Sequence, residues 1–358
     1  MRAKATVVVT MSLMNTTWPT GKANLDPSWA RRLGRSEGAL KRTMTLDGTL
    51  VLGVPLYEKL ASARAEDLRT VVVSASREDE STARALGLTP LEDTPEGTTF
   101  FAGTLDEALH AAFVSASEAE RATIRKSFPK QIEARLARHV KGFYEGPWAR
   151  AVAERKLSIR QYVVTLKNMH QYVRFTTRLL GRAVACSDTT ALRSHYARHL
   201  AGEVNHEILI ERDLEKLGES VAYLRDLRYA NAPTRSFMVL EQSLVSFECD
   251  SVLFAACPLA AEGITAHMDV PFLAALRDNV GRSSPELGKK ATVFFASHIE
   301  TDGGDDGHWA ATLKLLQDNL PDERKLGEFL TILDLAATSF TASFNANVDD
   351  YRLFSLPG

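Results

Sequence analysis

Three stretches of this chain concentrate residue types that bind metal ions. Glu203 and His206 lie in one strongly helical stretch and Glu262 in a second, while His298, Asp302, Asp305 and His308 crowd a third. Neutral imidazoles and carboxylates together suit iron or manganese, whereas a structural zinc more often recruits cysteine. Helices of one bundle can aim such a mixed set at a common point and so build a dinuclear iron or manganese site. The chemistry these residues point to is that of a metal centre.

The first stretch is the most legible. His195, His199, Glu203 and His206 fall at i, i+4, i+8 and i+11, so on one continuous helix all four share a face. A solvated helix face is the plain alternative. Leu200, Val204, Leu209 and Ile210 beside them are apolar, which turns the stripe toward a bundle interior. There an unsatisfied polar group costs on the order of several kcal/mol. In the third stretch, FFASHIETDGGDDGHWA, His298 and Asp302 are four apart, and Gly303-Gly304 interrupts the helix before His308. A calcium-binding or merely acidic loop has similar composition, but the spacing is not that of an EF-hand and His298 is foreign to one.

The elements that must carry these residues change character near residue 117. Before it, Ala5–Leu13, Thr49–Leu52, Thr70–Ser74 and Thr98–Phe101 read as strands, with helices at Pro55–Glu66, Ser81–Leu86 and Leu105–Ala116. Trp29–Leu60, RTVVVSAS and TLDEALHAAF faintly resemble the start of a dihydrofolate-reductase-like domain. The closing strands and a cofactor glycine pair are missing, so neither folate nor pyridine-nucleotide chemistry is inferred. An accessory domain is the alternative. After residue 117 long amphipathic helices take over: Glu118–Phe143 with a kink or break at Pro129, Ser158–Leu180, Leu192–Leu217, Arg235–Ala256, Pro258–Met268, Pro271–Val280, Pro285–Thr301, Asp306–Asn319 and Glu323–Tyr351. The expected class is therefore α+β with two domains, a small α/β accessory domain at 1–117 and an all-α bundle at 118–358 that holds the metal site.

Residues 118–352 resemble the haem-oxygenase-like di-iron oxidases and oxygenases, which are related in fold to the TenA and PqqC proteins. That family presents a Glu and a His on one core helix, a bridging Glu on a later one, and a His-x3-Asp-x2-His pattern on another. Glu203 and His206 in AGEVNHEILIERDLEKLG match the first pair, Glu262 in AAEGI the bridging carboxylate, and His298, Asp302 and His308 the last pattern. Three departures stand out. His308 is ten rather than seven positions after His298, so a bulged helix is required and either Asp302 or Asp305 can be the ligand. Many relatives carry a Glu seven residues before the His, where this chain has His199. Members that oxygenate amines often add a carboxylate from the preceding helix, and Ser158–Leu180 offers only His170.

The resemblance implies two Fe(II) ions bridged by Glu262, with O2 as co-substrate. The implied reaction is desaturation, oxygenation or carbon–carbon cleavage of a small amino-acid-like or carboxylate metabolite. Lys167, Arg174 and Arg178 are candidates to hold a substrate carboxylate, with plain surface charge as the alternative. Tyr162 and Tyr172 read as packing residues rather than radical sites. A metal-free TenA- or PqqC-like enzyme, or a small-ligand-binding protein of the same fold, is the competing reading. Such bundles are often dimeric, so the resemblance also implies a homodimer.

Composition sets the remaining bounds. The chain has 358 residues, 45% hydrophobic and 25% charged, with a formal net charge of -2, which leaves no basic footprint for nucleic acid or an anionic membrane. No run approaches the roughly eighteen apolar residues of a membrane span. MRAKATVVVTMSLM is weakly similar to a signal peptide, but Thr6 and Thr10 interrupt it and the β-branched Val7–Val9 read as a buried strand. Cys186, Cys249 and Cys257 form no CxxC pair and leave an odd count, so no disulfide and a reducing cytosol are expected.

Overall fold

A computed structural model describes residues 6–10, 22–23, 45–46, 48–49, 54–65, 70–76, 89–94, 97–222, 224–225, 230–302 and 308–349; most strand side chains and those of residues 300–308 fall outside the description. The chain divides into two compact units, Met1–Gln131 with Leu320–Gly327, and Ile132–Asn319 with Glu328–Gly358.

In the first unit, strands β1 (Thr6–Thr10), β3 (Thr45–Leu46), β5 (Thr70–Ser76), β6 (Thr89–Thr94) and β7 (Gly97–Thr104) pair in the order β3-β1-β5-β7-β6. β1 runs parallel to β3 and β5, with Val7 opposite Val71, and β7 runs antiparallel to β5 and β6. A separate antiparallel pair joins β2 (Lys22–Ala23) to β4 (Gly48–Thr49). The described core of this unit is nevertheless helical. It is made by α1 (Val54–Ala65), α2 (Leu105–Ser115), α3 (Glu118–Arg125) and the first turn of α4 (Phe128–Tyr144). Tyr57, Leu60, Leu109, Phe113, Ile124 and Phe128 are all buried there. Buried Glu323 receives both the Arg64 guanidinium and the Tyr57 hydroxyl.

The expected fold class, α+β with a small α/β domain ahead of the bundle, is therefore corrected. Where packing is described the chain is 80% helical. The described buried side chains lie on helices and their connectors. The physical reason is that β-branched runs report a local preference, whereas fold class is set by which surfaces bury apolar area against one another.

The second unit is a helical bundle: the rest of α4, α5 (Pro147–Ala153), α6 (Ile159–Ala185), α7 (Thr190–Gly202), α8 (His206–Lys216), α9 (Ala232–Ser246), α10 (Ser251–Phe254), α11 (Ala256–Ala266), α12 (Val270–Val280), α13 (Pro285–Lys290), α14 (Val293–Asp302), α15 (His308–Asn319) and most of α16 (Glu323–Asp349). Ser158 opens α6 with a capping box to Gln161, and α6 then buries Tyr162, Leu166, Met169 and Val173 at helical spacing. It packs against α7, α8 and α9. An aromatic core gathers on Trp148, whose ring lies 4.8 Å from Phe344 and 6.0 Å from Phe295 and whose Nε1 donates to Thr165 Oγ1 at 2.9 Å.

Four expected helices are interrupted, Arg235–Ala256 between Ser246 and Ser251. The break in Glu118–Phe143 falls at Lys126–Ser127, and Pro129 stands in the first turn of α4, where a missing N–H leaves no carbonyl unpaired. Leu192–Leu217 breaks between Gly202 and His206, and Pro285–Thr301 between Lys290 and Val293. The cysteine expectation is also corrected. Cys186, at the C-terminal end of α6, is bonded to Cys249, after α9, with Cα atoms 5.1 Å apart, and Cys257 is buried and free. An odd count carries no information about which two cysteines meet in space, and the bond removes the ground for expecting a reducing compartment. No single helix among the described residues is long and apolar enough to cross a membrane.

α12 and α13 approach through glycine. A Cβ on Gly288 would press on the Arg277 carbonyl oxygen and stand 3.1 Å from Gly281 Cα. Gly288→Ala should therefore cost about 1–3 kcal/mol in a denaturant titration, because the obstacle is backbone and cannot rotate aside. An unchanged midpoint would contradict this contact.

Candidate metal centre

The break between α7 and α8 creates the site. Gly202 weakens the helix end, Glu203 closes it with its N–H 3.0 Å from the His199 carbonyl, and Asn205 takes a left-handed conformation at φ +70. Asn is among the few residues that tolerate that region. α8 then restarts at His206, so Glu203 lies between imidazoles that precede and follow the break.

The donor atoms form two groups that share Glu203. His199, Glu203 and Glu262 make one trio and Glu203, His206 and His298 the other, with ligand atoms in each within 4.8 Å of one another. Glu262, from α11, comes to 2.6 Å from His199 Nε2, and Glu203 Oε1 is 3.7 Å from the same atom. Glu203 Oε2 lies 2.8 Å from His206 Nδ1. The His206 and His298 rings meet edge to face at 4.7 Å. His298 Nδ1 is 2.9 Å from the Phe294 carbonyl, an acceptor only, so Nδ1 carries the proton and Nε2 keeps its lone pair for a metal.

Burial and charge oppose each other here. Burial alone would lower the His199 imidazole, but Glu262 and Glu203 beside it hold it up at about 10. Burial works against the charge on Glu203, yet His199 and His206 keep its carboxyl well below the usual range. His298 is pushed down, chiefly by burial. Three imidazoles and two carboxylates, nearly enclosed and arranged in two trios that share Glu203, are by donor chemistry a set that can hold iron or manganese.

Asp213 fixes the frame. It follows His206 by two turns of α8, is fully buried, and accepts the N–H groups of Val293 at 3.1 Å and Phe294 at 3.0 Å. It thereby caps the first turn of α14, the helix that carries His298, and sets α8 against α14. Burial pushes its carboxyl up to about 6, against the pull of the two N–H groups.

The structure brings together Glu203, His206, Glu262 and His298 with His199, itself a further candidate from the sequence. Asp302 and His308 end α14 and begin α15, but their side chains, and all of Asp305, lie outside the described residues. Lys167 pairs with Glu219 at 2.6 Å. Arg174 and Arg178 lie over Phe175 at 4.7 and 5.6 Å, and no described contact links them to the two trios. His170 is buried against Glu211 at 3.0 Å and belongs to neither trio. Sequence reasoning missed Asp213 and buried Glu241 of α9. Signals existed: Asp213 stands seven residues after His206, and Glu241 is the lone acid in FMVLEQSLV.

No protein-family model and no curated protein matches the chain. Solved structures do. A domain of unknown function with a haem-oxygenase-like fold from Shewanella denitrificans is 15% identical, aligns over 63% of this chain and 94% of its own, and gives a TM-score of 0.54. A TenA homologue from Pseudomonas syringae pv. tomato is 14% identical over 64% of this chain and 95% of its own, with a TM-score of 0.53. The bundle therefore has the haem-oxygenase-like, TenA-like fold over about two thirds of the chain.

Two outcomes follow from these carboxylates. Asp213→Ala should cost about 1–2 kcal/mol by loss of the α14 cap, with Asp213→Asn, which keeps one acceptor, in between on thermal denaturation. Equal stability of all three proteins would refute the capping role. Burial raises the Glu241 carboxyl from 4.5 to about 8, so folding favours its neutral form, and the stability this contributes is present below 4.5 and lost as pH rises through about 8. The melting temperature of Glu241→Gln relative to wild type should accordingly climb across that window, and a pH-independent difference would contradict it.

Proposed function

We propose that this chain is a non-haem di-iron oxidase or oxygenase acting on a small amino-acid-like or carboxylate metabolite. The observation that carries the reading is the pair of histidine and carboxylate trios sharing Glu203. A carboxylate with one oxygen toward each trio suits the role of bridge, whereas the family resemblance alone assigned that role to Glu262. Ferrous iron held there would supply the electrons for reducing dioxygen. The residues' own part would be to bind and orient: His199 and Glu262 would hold one ion, His206 and His298 the other, and Glu203 would serve both. The phenylalanines at 294 and 295, both buried, exclude water on the α14 side. Asp302 or Asp305, with His308, would complete the set in this reading.

Anaerobic titration with ferrous iron, followed by oxygen uptake on an electrode, tests it. Wild type should take up about two irons per chain. His199→Ala and His206→Ala should each fall to about one, and Glu203→Ala should lose most of both. Oxygen uptake should vanish in all three. Wild type that binds no iron and consumes no oxygen would overturn the proposal in favour of a metal-free enzyme of the same fold.

A further inference from the structure

We infer that Arg174 and Arg178, whose guanidinium groups lie over the Phe175 ring on α6, form a binding site for a phosphate monoester carried by a small molecule or a lipid headgroup. The site is independent of the metal-centre reading, and its test needs no iron.

Arg174 and Arg178 are four apart on α6, so they leave the helix one turn above the other on the same face. Their guanidinium carbons stand 4.7 and 5.6 Å from the centroid of the one Phe175 ring, which brings both forks to a single half-buried patch. Like charges at this spacing destabilise a helix unless an opposite charge joins them. Other arginines of this unit have one: Arg135 meets Asp334 and Arg155 meets Asp278, each at 3.0 Å. Among the described residues no carboxylate meets Arg174 or Arg178. Two acids that approach neighbouring turns of α6 are engaged already, Glu219 by Lys167 at 2.6 Å and Glu211 by His170 at 3.0 Å.

The patch also lacks an acceptor. Arg174 Nε is shut off from solvent and has no hydrogen-bond partner. Native structures leave few buried donors unsatisfied, and the group that satisfies this one must bring an acceptor. Burial lowers the Arg174 guanidinium, and Arg225 and Arg178 lower it further, so the charges that act on it are positive. The complement is an anion with several acceptor oxygens. Each guanidinium fork presents paired N–H groups that match two oxygens of one oxyanion. A carboxylate has two oxygens and one charge to share between two forks. A phosphate monoester has three terminal oxygens and nearly two charges above its second pKa of about 6, so it satisfies both.

The test is calorimetric titration of methyl phosphate and of acetate into the full chain, at constant ionic strength and about pH 8, where the phosphate is doubly charged. Wild type should bind methyl phosphate about tenfold or more tighter than acetate. Arg178→Gln should weaken methyl phosphate about tenfold, and Arg174→Lys, which keeps the charge but not the fork, about threefold. Arg178 is exposed, so its variant should fold, with a melting temperature unchanged or raised by relief of the like-charge pair. Arg150→Gln, at an exposed arginine of α5, should leave binding unaltered. Sedimentation with vesicles of phosphatidic acid in phosphatidylcholine identifies the carrier. Sedimentation that Arg178→Gln abolishes puts the phosphate on a lipid, and binding of methyl phosphate without sedimentation puts it on a small molecule. Neither binding nor sedimentation, equal affinity for acetate, unaltered affinity in Arg178→Gln, or a loss shared by Arg150→Gln would overturn the site.

Discussion

The structure around the centre depends on keeping one carboxylate ionised where water hardly reaches. Glu203 is 7% exposed, and a charge at that depth persists only if opposite charges or donors surround it. His199 before it and His206 after it supply them. The chain answers by ending α7 at Gly202, placing Asn205 in the left-handed region, and restarting at His206. The strained residue thus sits beside the groups it positions.

Around that break the scaffold is tied by groups outside the two trios. Asp213 joins α8 to the start of α14, and so relates His206 to His298 through one buried carboxylate. Close approach serves α11, where a Cβ on Gly263, next to Glu262, would collide with the Leu136 side chain. A buried amide network links three further helices: Asn168 of α6 donates to Asn347 of α16 at 2.8 Å, and accepts from the N–H of Asn231, the α9 cap, at 2.7 Å. Such satisfied networks favour one arrangement of helices over near alternatives.

Much of the bundle could be read from sequence because its helices carry their own punctuation. Ser158 with Gln161, Pro147 after Gly146, and Gly218 after α8 mark ends by local chemistry. Glu203, His206, Glu262 and His298 stood out because imidazoles and carboxylates among apolar neighbours need a reason. What stayed hidden depends on contacts distant in the chain. The break at Gly202–Asn205 is paid for by tertiary charge pairing, so helical periodicity ran straight through it and put four residues on one face. The value of Asp213 lies in two N–H groups some eighty residues away. The Cys186–Cys249 bond follows from the crossing of α6 with the turn after α9, and the β-branched runs near the N-terminus spoke for strands without saying what would bury them.

The most direct measurement of the central claim is anomalous X-ray scattering at the iron edge from crystals of the protein loaded anaerobically. The account predicts two iron peaks about 3.5–4 Å apart, one on the His199 and Glu262 side and one on the His206 and His298 side, with the Glu203 carboxylate between them. No peak within reach of Glu203, or a single iron held without it, would contradict a shared carboxylate as the organising feature of this protein.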